Sequence, residues 1–295
     1  LVHDFCDNDF AAGHCGVQEE SGQVYSPYLR GEIMAKPAIE VKDVSILFNL
    51  NSEKVDNIKE YFVKLVTRKL MFTEFWALKD ISFTVEKGER LGILGFNGAG
   101  KSTLLKTLSG RIPALAGSIE ILERTFRSWT AKEIARNVAY IPISRATPER
   151  MSVSEFVGLG RMPYSNFFDN RDAEDFEIIN EALDLLCLRP FADRNIFELS
   201  DGERSRAYLA QAVAQQVKVL LLDEPNAFLD IPWSHQLFKM LRTLAKERNM
   251  GILVSTHSLE YASKYCDRAE IVDGNSVYVG SWSESEKNGW LGWTK

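Results

Sequence analysis

The feature that most constrains the fold is a glycine-rich loop placed between an apolar strand and a helix. The stretch "LGFNGAGKSTLLK" spans residues 94–106, follows the apolar run "RLGI" and leads into the helical pattern "LLKTLSG". It fits the spacing G-x-x-x-x-G-K-[ST], in which glycines allow a tight turn whose backbone N–H groups face phosphate oxygens. We therefore predict a phosphate site formed by Gly95, Asn97, Gly98, Ala99, Gly100, Lys101, Ser102 and Thr103.

An acidic pair follows a second apolar strand, "VLLLDEP", which brings Asp223 and Glu224 to the strand's carboxyl end. In this pattern Lys101 neutralises the β and γ oxygens of a nucleotide, and Ser102 and Asp223 are the expected Mg²⁺ ligands. Glu224 is placed to polarise a water for attack on the γ-phosphate. An acidic pair after a strand is a weak signal by itself, but after a phosphate loop it predicts a nucleoside triphosphatase.

A third element, "LSDGE" at residues 199–203, stands directly before the helical pattern "RSRAYLAQAVA". Ser200 and Gly202 at a helix start offer a hydroxyl and N–H groups to a second anion. The same residues also fit a capping box, because Glu203 follows Ser200 at a distance of three. Its position before the acidic strand favours the phosphate site.

Composition excludes some classes of protein. With 45% hydrophobic and 26% charged residues, the 295-residue chain is able to bury a substantial core, and its net charge of −6 argues against a general nucleic-acid binder. We find no run of roughly 20 apolar residues and no secretory-signal pattern, so any membrane association is expected to be peripheral. Four scattered cysteines fit a reducing cytoplasm. Irregular spacing disfavours a zinc site at His3, Cys6, His14 and Cys15.

The pattern along the chain predicts an α/β domain over residues 34–282. Residues 1–33 are expected to be a disordered or non-native leader before Met34, and residues 283–295 a tail. Buried strands are predicted from Ala77 and at 138–143, 217–223, 251–256 and 269–274, with an amphipathic helix at 52–72. Helical patterning at about 145–215 predicts an inserted helical subdomain, with Phe176, Ile179, Leu183 and Leu186 on one face.

Together these residues resemble the ATP-binding-cassette (ABC) family, the motor subunits of ABC transporters. "GFNGAGKS" is similar to its Walker A motif, "LSDGE" to its signature, "VLLLDE" to its Walker B motif, residues 227–230 to its D-loop, and "STH" to its switch histidine. The resemblance implies a P-loop NTPase fold with a mostly parallel core sheet and antiparallel N-terminal strands. It also implies that ATP and Mg²⁺ are bound, that His257 contacts the γ-phosphate and helps orient Glu224, and that Asp230 belongs to the nucleotide site.

The resemblance further implies a homodimer in which Lys101 of one copy and Ser200 of the other clamp the same ATP. The other implied partners are transmembrane permease subunits and an extracytoplasmic binding protein, with the chain peripheral on the cytoplasmic side of the inner membrane. The family places an aromatic platform for adenine just after the first strand. Phe48 is the candidate here, and Trp76 and Phe75 are rivals.

Two residues depart from the family pattern. Ile143 stands where the family has a glutamine that touches Mg²⁺ and senses the membrane partner, which puts the coupling in doubt. Asp201 replaces a signature glycine and adds a negative charge near the γ-phosphate side, which weakens closure unless Arg204 or Arg206 compensates.

The likeness points in two directions for transport. From about Leu104 onward, including "GLGRMPY", the chain resembles the ATPases of iron-siderophore, haem and vitamin B12 importers, whereas residues 51–83 resemble those of polysaccharide and teichoic-acid exporters. We favour import, because the helical region that docks on a permease is the import-like part. A soluble ABC ATPase and a non-catalytic nucleotide-binding module are the alternatives of another class.

Overall fold

A computed structural model of the protein describes residues 37–51, 72–143, 147–164, 172–273 and 276–280. These residues fall into two compact units. The core unit draws on residues 37–147 and 215–280, and the helical unit is formed by residues 148–214, against the predicted 145–215. The predicted leader, the tail and Met34 lie outside the described residues.

A six-stranded sheet forms the centre of the core unit, in the order β10-β9-β3-β8-β7-β6. Neighbouring strands pair in parallel except for β10, which is antiparallel to β9. Every residue of β3, β7 and β8 is buried, which explains their continuous apolar sequences. The strands are β3 (Arg90–Leu94), β6 (Val138–Ile141), β7 (Val219–Asp223), β8 (Gly251–Ser255), β9 (Arg268–Asp273) and β10 (Ser276–Gly280).

A second, antiparallel sheet has the order β2-β1-β4-β5 and packs its apolar side chains into the same core cluster. Its strands are β1 (Ile39–Asn51), β2 (Phe72–Val85), β4 (Ala116–Ile121) and β5 (Arg124–Thr125). The α/β fold with a mostly parallel sheet and antiparallel N-terminal strands is thereby confirmed. The helices of this unit are α1 (Lys101–Leu108), α2 (Ala131–Asn137), α6 (Ile231–Arg248) and α7 (Leu259–Tyr265).

The start of β2 differs from the sequence prediction. The strand begins at Phe72, whereas we predicted a strand from Ala77 and a helix that ended at Phe72. Long pairing with β1, which continues as far as Asn51 opposite Phe72, overrides the helical spacing at this position. The rest of the predicted helix, residues 52–71, lies outside the described residues.

The helical unit contains α3 (Val153–Gly158), α4 (Ala173–Leu185) and α5 (Asp201–Ala214). On the predicted face of α4, Ile179 and Leu183 are buried, and Leu186 just beyond the helix is also buried, but Phe176 is 55% exposed. Asp175 takes the inward position in this turn because it forms a buried ion pair of 2.6 Å with Arg161. Arg161 also donates to the Ala214 carbonyl oxygen at 3.0 Å, which ties the "GLGRMPY" segment to α5.

No helix within the described ranges is long and apolar enough to cross a membrane.

Among the described residues of the core unit, the Glu270 carboxyl group has a strongly raised pKa. Glu270 on β9 is 2% exposed, and neither of its oxygens has a hydrogen-bond partner among the described residues. Burial raises the pKa of Glu270 to about 8, although the Arg268 guanidinium acts in the opposite direction. The folded protein therefore retains a proton that the unfolded chain loses near its ordinary pKa of 4.5, and stability falls as pH rises from there towards 8.

Replacing Glu270 with glutamine should flatten this dependence. Glu270→Gln removes the titration, so the decline in the free energy of unfolding with rising pH should shrink by up to about 1.4 kcal/mol per pH unit over this range. Urea unfolding across the same range measures it. Glu247→Gln on the exposed face of α6 is the control and should keep the wild-type slope. Equal slopes in wild type and Glu270→Gln would contradict the assignment.

Candidate active site

Residues 95–100 connect β3 to α1 in a conformation that requires glycine at both ends. Gly100 has φ +99°, and a Cβ atom there would lie 2.7 Å from the Ala77 carbonyl oxygen. A Cβ atom at Gly95 would run into the Val272 carbonyl oxygen. Gly100 caps α1 without a side-chain hydrogen bond, so the loop offers the N–H groups of a helix N-terminus to an anion.

Lys101 brings a positive charge into this loop. Its ammonium donates hydrogen bonds to the carbonyl oxygens of Gly95 at 2.7 Å and Phe96 at 3.0 Å, so the side chain curls back over the loop. Burial lowers the pKa of Lys101, whereas the Glu224 and Asp223 carboxylates act to raise it. The Lys101 ammonium therefore interacts electrostatically with both carboxylates of the acidic pair. This is expected if all three side chains surround one phosphate group.

The other predicted loop residues occupy different environments. Asn97 and Gly98 are at the exposed tip, whereas Ala99 is buried against the core cluster. Ser102 and Thr103 lie half-buried in the first turn of α1. The structure thus places all eight predicted residues in one loop and helix start.

Asp223 ends β7 as a buried carboxylate. Its Oδ1 accepts a hydrogen bond from the Ser255 hydroxyl at 2.6 Å, and its Oδ2 accepts one from the Tyr140 hydroxyl at 3.3 Å. Burial raises the pKa of Tyr140 most, and the negative charge of Asp223 and the hydrogen bond to it raise the pKa further. The phenol is therefore protonated and donates its proton to the carboxylate. Sequence analysis missed both hydroxyls. The available signal was position alone: Ser255 lies near the carboxyl end of a predicted strand, as Asp223 does, and Tyr140 lies within another predicted strand.

Glu224 leaves the strand with its backbone in the left-handed region, at φ +46°. Its N–H group donates to both the carbonyl oxygen and the hydroxyl of Ser255, each at 3.1 Å. The exposed ring of His257, just after β8, donates through Nδ1 to Glu224 Oε2 at 3.3 Å. The structure therefore brings the predicted glutamate and histidine into direct contact, although they are 33 residues apart in the chain.

The oxygen atoms present suit Mg²⁺ bound together with a phosphate. Mg²⁺ is commonly held by one or two protein oxygens, with water and phosphate oxygens completing its shell. The Asp223 carboxylate and the Ser102 hydroxyl are ligands of this kind. Among the described residues no group of three or more histidine, cysteine, aspartate or glutamate side chains is placed to hold a metal ion.

Ser200 and Glu203, in the helical unit, form the capping box that the sequence left as an alternative. The Ser200 N–H and hydroxyl donate to Glu203 Oε2 at 2.9 and 2.7 Å, and the Glu203 N–H donates to the Ser200 hydroxyl at 3.3 Å. Burial acts to raise the pKa of Glu203, but the hydrogen bonds from Ser200, together with the charges of Arg206 and Arg194, outweigh it and lower the pKa. Gly202 is half-buried in the first turn of α5.

Comparison with known proteins decides the family. A profile of the ABC transporter family matches residues 78–227, which contain the loop and the acidic pair. The chain belongs to the ABC transporter family. Proteins of this family bind ATP or ADP, and their cassettes couple ATP hydrolysis to transport.

Two of three relatives of this ABC chain are named for import of a compound. The third, an uncharacterized ABC transporter ATP-binding protein of Bacillus subtilis, YvrA, is 39% identical over 191 residues, which are 64% of this chain and 43% of that protein. The iron(3+)-hydroxamate import ATP-binding protein of Bacillus subtilis is 34% identical over 64% of this chain and 70% of its own length. The cobalamin import ATP-binding protein of Halobacterium salinarum is 32% identical over 68% and 50%. The chain thus spans half or less of two of these relatives.

Solved ABC structures share the fold. A metal-chelate type ABC transporter in an inward-facing conformation matches with a TM-score of 0.67 and 25% identity, covering 87% of this chain and 89% of the other. A dimeric bacterial ABC transporter cassette matches with a TM-score of 0.66 and 20% identity, covering 82% and 98%. At that identity the second match supports the fold alone.

The two departures from the ABC pattern have different local settings. Ile143 follows β6 and is half-buried. Asp201 forms an ion pair with Arg204 Nη1 at 3.3 Å, whereas Arg206 is buried and donates to the carbonyl oxygens of Leu186 and Cys187. Arg204, and not Arg206, therefore offsets the added charge of Asp201.

The remaining predicted residues of the ABC site are Asp230 and the adenine platform. Asp230 caps α6 by accepting the Trp233 N–H at 2.9 Å. Phe48 is half-buried against the core cluster, opposite Phe75 on β2, while Trp76 is 37% exposed with Lys79 Nζ 5.9 Å from its ring centroid. The Phe75 side chain lies outside the described residues. Of Phe48 and Trp76, Trp76 is the more exposed and is therefore better placed to stack on a base.

Lys101 can be tested by truncation. Lys101→Ala removes the charge and the two hydrogen bonds that brace the loop, so the Kd for ATP should rise at least about tenfold, as a lost charge-assisted contact implies. Equilibrium titration with a fluorescent ATP analogue measures the change. Lys106→Ala in the last turn of α1 removes an equal charge and should leave Kd within about twofold. Tight binding by Lys101→Ala would show that the loop holds phosphate without this side chain.

Proposed function

We propose that this chain is the ATP-hydrolysing subunit of an importer and that it powers uptake of an iron chelate, haem or a cobalamin-type compound through a separate permease. The observation that carries the proposal is the naming of relatives for iron(3+)-hydroxamate and cobalamin import. Both matches extend well beyond the phosphate loop, over 188 and 201 residues. The fold match to a metal-chelate type transporter agrees with this class of substrate.

Hydrolysis is proposed to use the groups gathered at the carboxyl edge of the parallel sheet. The loop N–H groups and Lys101 hold the phosphates, and Asp223 and Ser102 hold Mg²⁺. When bound, Mg²⁺ neutralises charge on the phosphate oxygens. Glu224 orients and deprotonates the attacking water, and its contact with His257 at 3.3 Å fixes the carboxylate for that task.

A second copy of the chain is proposed to complete the site. In this arrangement Ser200 and Gly202 of one copy face the γ-phosphate held by Lys101 of the other, so hydrolysis and release open the pair. Two solved cassettes that share the fold are themselves dimeric. The proposed partners are transmembrane permease subunits and an extracytoplasmic binding protein, with the chain peripheral on the cytoplasmic side of the inner membrane.

Export of a polysaccharide or teichoic acid is the second candidate for the same machinery. Its support is the likeness of residues 51–83, most of which lie outside the described residues. The import names of the relatives favour the first candidate. A soluble ABC ATPase would instead hydrolyse ATP with no permease bound.

Uptake by the assembled transporter tests the proposal directly. The full chain, co-expressed with the permease encoded beside it, is reconstituted in vesicles with the binding protein and ATP. We expect ATP-dependent accumulation of a labelled ferric chelate, haem or cobalamin.

Glu224→Gln should keep ATP binding but lower phosphate release and uptake about 100-fold, because a general base contributes this much. Glu260→Gln on α7 should match wild type. Normal phosphate release by Glu224→Gln, or hydrolysis without uptake of any of these compounds, would contradict the mechanism or the substrate class respectively.

The two-copy site can be tested by adding bulk at the signature. Ser200→Arg should leave the Kd for ATP within about threefold, because the residue serves the other copy's nucleotide, while steady-state phosphate release falls at least about 100-fold. Malachite-green assays and nucleotide titration measure both. Glu181→Arg adds the same side chain to the exposed face of α4 and should remain active. Full activity of Ser200→Arg would rule out a shared site.

A further inference from the structure

We propose that Tyr140 and Ser255 are positioning residues that fix the direction of the Asp223 carboxylate for the Mg²⁺ bound with ATP. The inference rests on the Mg²⁺ role proposed above for Asp223. It adds two residues from different strands, neither of which belongs to the predicted phosphate loop, acidic pair or signature.

The sheet order explains why two hydroxyls converge on one carboxylate. Asp223 ends β7, which lies between β8 and β6. Ser255 on β8 is the direct register partner of Asp223, and its hydroxyl reaches Oδ1 at 2.6 Å. Tyr140 on β6 pairs with Leu221, and its longer side chain reaches two residues further to Oδ2 at 3.3 Å. Each carboxylate oxygen therefore accepts a hydrogen bond from a different neighbouring strand.

The Ser255 hydroxyl has its direction set by a second contact. A serine hydroxyl carries one donor and two acceptor positions. The Glu224 N–H donates to Ser255 Oγ at 3.1 Å, and the single hydroxyl proton is donated to Asp223. Since Ser255 is completely buried, no solvent competes for this proton. Ser255 thus joins the expected metal ligand and the expected general base through one oxygen atom.

The position of the Tyr140 hydroxyl is restrained by a contact on the face of its ring. The Arg111 guanidinium carbon lies 5.0 Å from the ring centroid, a cation–π distance that restrains the ring on β6. A tyrosine phenol is protonated at neutral pH, so the Tyr140 hydroxyl is a donor to the Asp223 carboxylate. Its longer hydrogen bond should contribute less than that of Ser255.

Fixing the carboxylate matters because Mg²⁺ demands near-ideal octahedral geometry. One lone-pair direction on each oxygen is taken by a hydroxyl, and the remaining directions are available to a ligand. Loss of outer contacts of this kind commonly weakens metal affinity 10- to 100-fold. A purely structural role, in which the hydroxyls only satisfy a buried charge, would lower stability and leave Mg²⁺ affinity unchanged.

The chain supplies a matched control for that structural role. Ser45 is a buried serine on β1 whose hydroxyl donates to Asp80 Oδ1 at 3.1 Å and accepts the Asp80 N–H at 2.9 Å. The contact repeats the donor and acceptor pattern around Ser255 in the antiparallel sheet, at the exposed carboxylate of Asp80, which has no role in the proposed site. Ser45→Ala therefore reports what the loss of such a contact does to folding alone.

The experiment measures binding of a fluorescent ATP analogue to the 295-residue chain, in EDTA and over a Mg²⁺ titration. In EDTA, Ser255→Ala, Tyr140→Phe and Ser45→Ala should all bind within about twofold of wild type. The Mg²⁺ concentration for half-maximal enhancement should rise about tenfold for Ser255→Ala and about threefold for Tyr140→Phe, and should not change for Ser45→Ala. Ser255→Thr retains the hydroxyl and should restore the wild-type value.

Unchanged Mg²⁺ dependence in both hydroxyl variants would overturn the inference, provided that Asp223→Asn loses the Mg²⁺ enhancement. If Asp223→Asn itself keeps the enhancement, the proposed Mg²⁺ role of Asp223 fails, and the positioning role fails with it. If Ser255→Ala does not fold, Tyr140→Phe decides: a shifted half-saturation supports the role, and a wild-type value overturns it.

Discussion

The parallel pairing of β3, β8 and β7 is the constraint on which the site depends. Ser255 on β8 lies in register with Ile93 on one side and with Asp223 on the other. Because all three strands run in the same direction, the segments that follow them leave the sheet at one level. The phosphate loop, Glu224 and His257 therefore start close together, although they are spread over more than 150 residues of sequence. The buried apolar runs of these strands hold this alignment.

Sequence predicted the parts of the site whose signals are local. Gly100 and Lys101 belong to one short pattern, and Asp223 and Glu224 end an apolar run, so spacing alone located them. The contact between Glu224 and His257 followed from family resemblance, because pairs 33 residues apart leave no local trace. Ser255 and Tyr140 were missed for the same reason. Their partner lies 32 and 83 residues away, and many strands end in a hydroxyl residue without any such contact.

The fold shows the same division between local and long-range causes. Buried strands were found from their apolar runs, and the capping box at Ser200 from its spacing. The start of β2 and the exposure of Phe176 were not predicted, because each depends on a distant partner. The start of β2 depends on its extended pairing with β1, and the exposure of Phe176 follows from the ion pair of Asp175 with Arg161. Helical periodicity locates an apolar face, but a buried ion pair at its edge can take the position of an aromatic ring.

The capping box gives the proposed second phosphate contact a physical character of its own. In a single chain the Ser200 hydroxyl already donates to the Glu203 carboxylate, an anionic acceptor. In the proposed two-copy arrangement the Ser200 hydroxyl exchanges the Glu203 carboxylate for a γ-phosphate as its acceptor. Because both acceptors are anions, the net gain in free energy from the hydroxyl contact is small. Arg204 offsets the charge of Asp201 in the same turn, which lowers the repulsion of the incoming phosphate. Because the Ser200 hydroxyl can return to Glu203, its contact with the γ-phosphate is readily reversed once the phosphate leaves. The proposed opening of the two copies after each hydrolysis requires this reversibility.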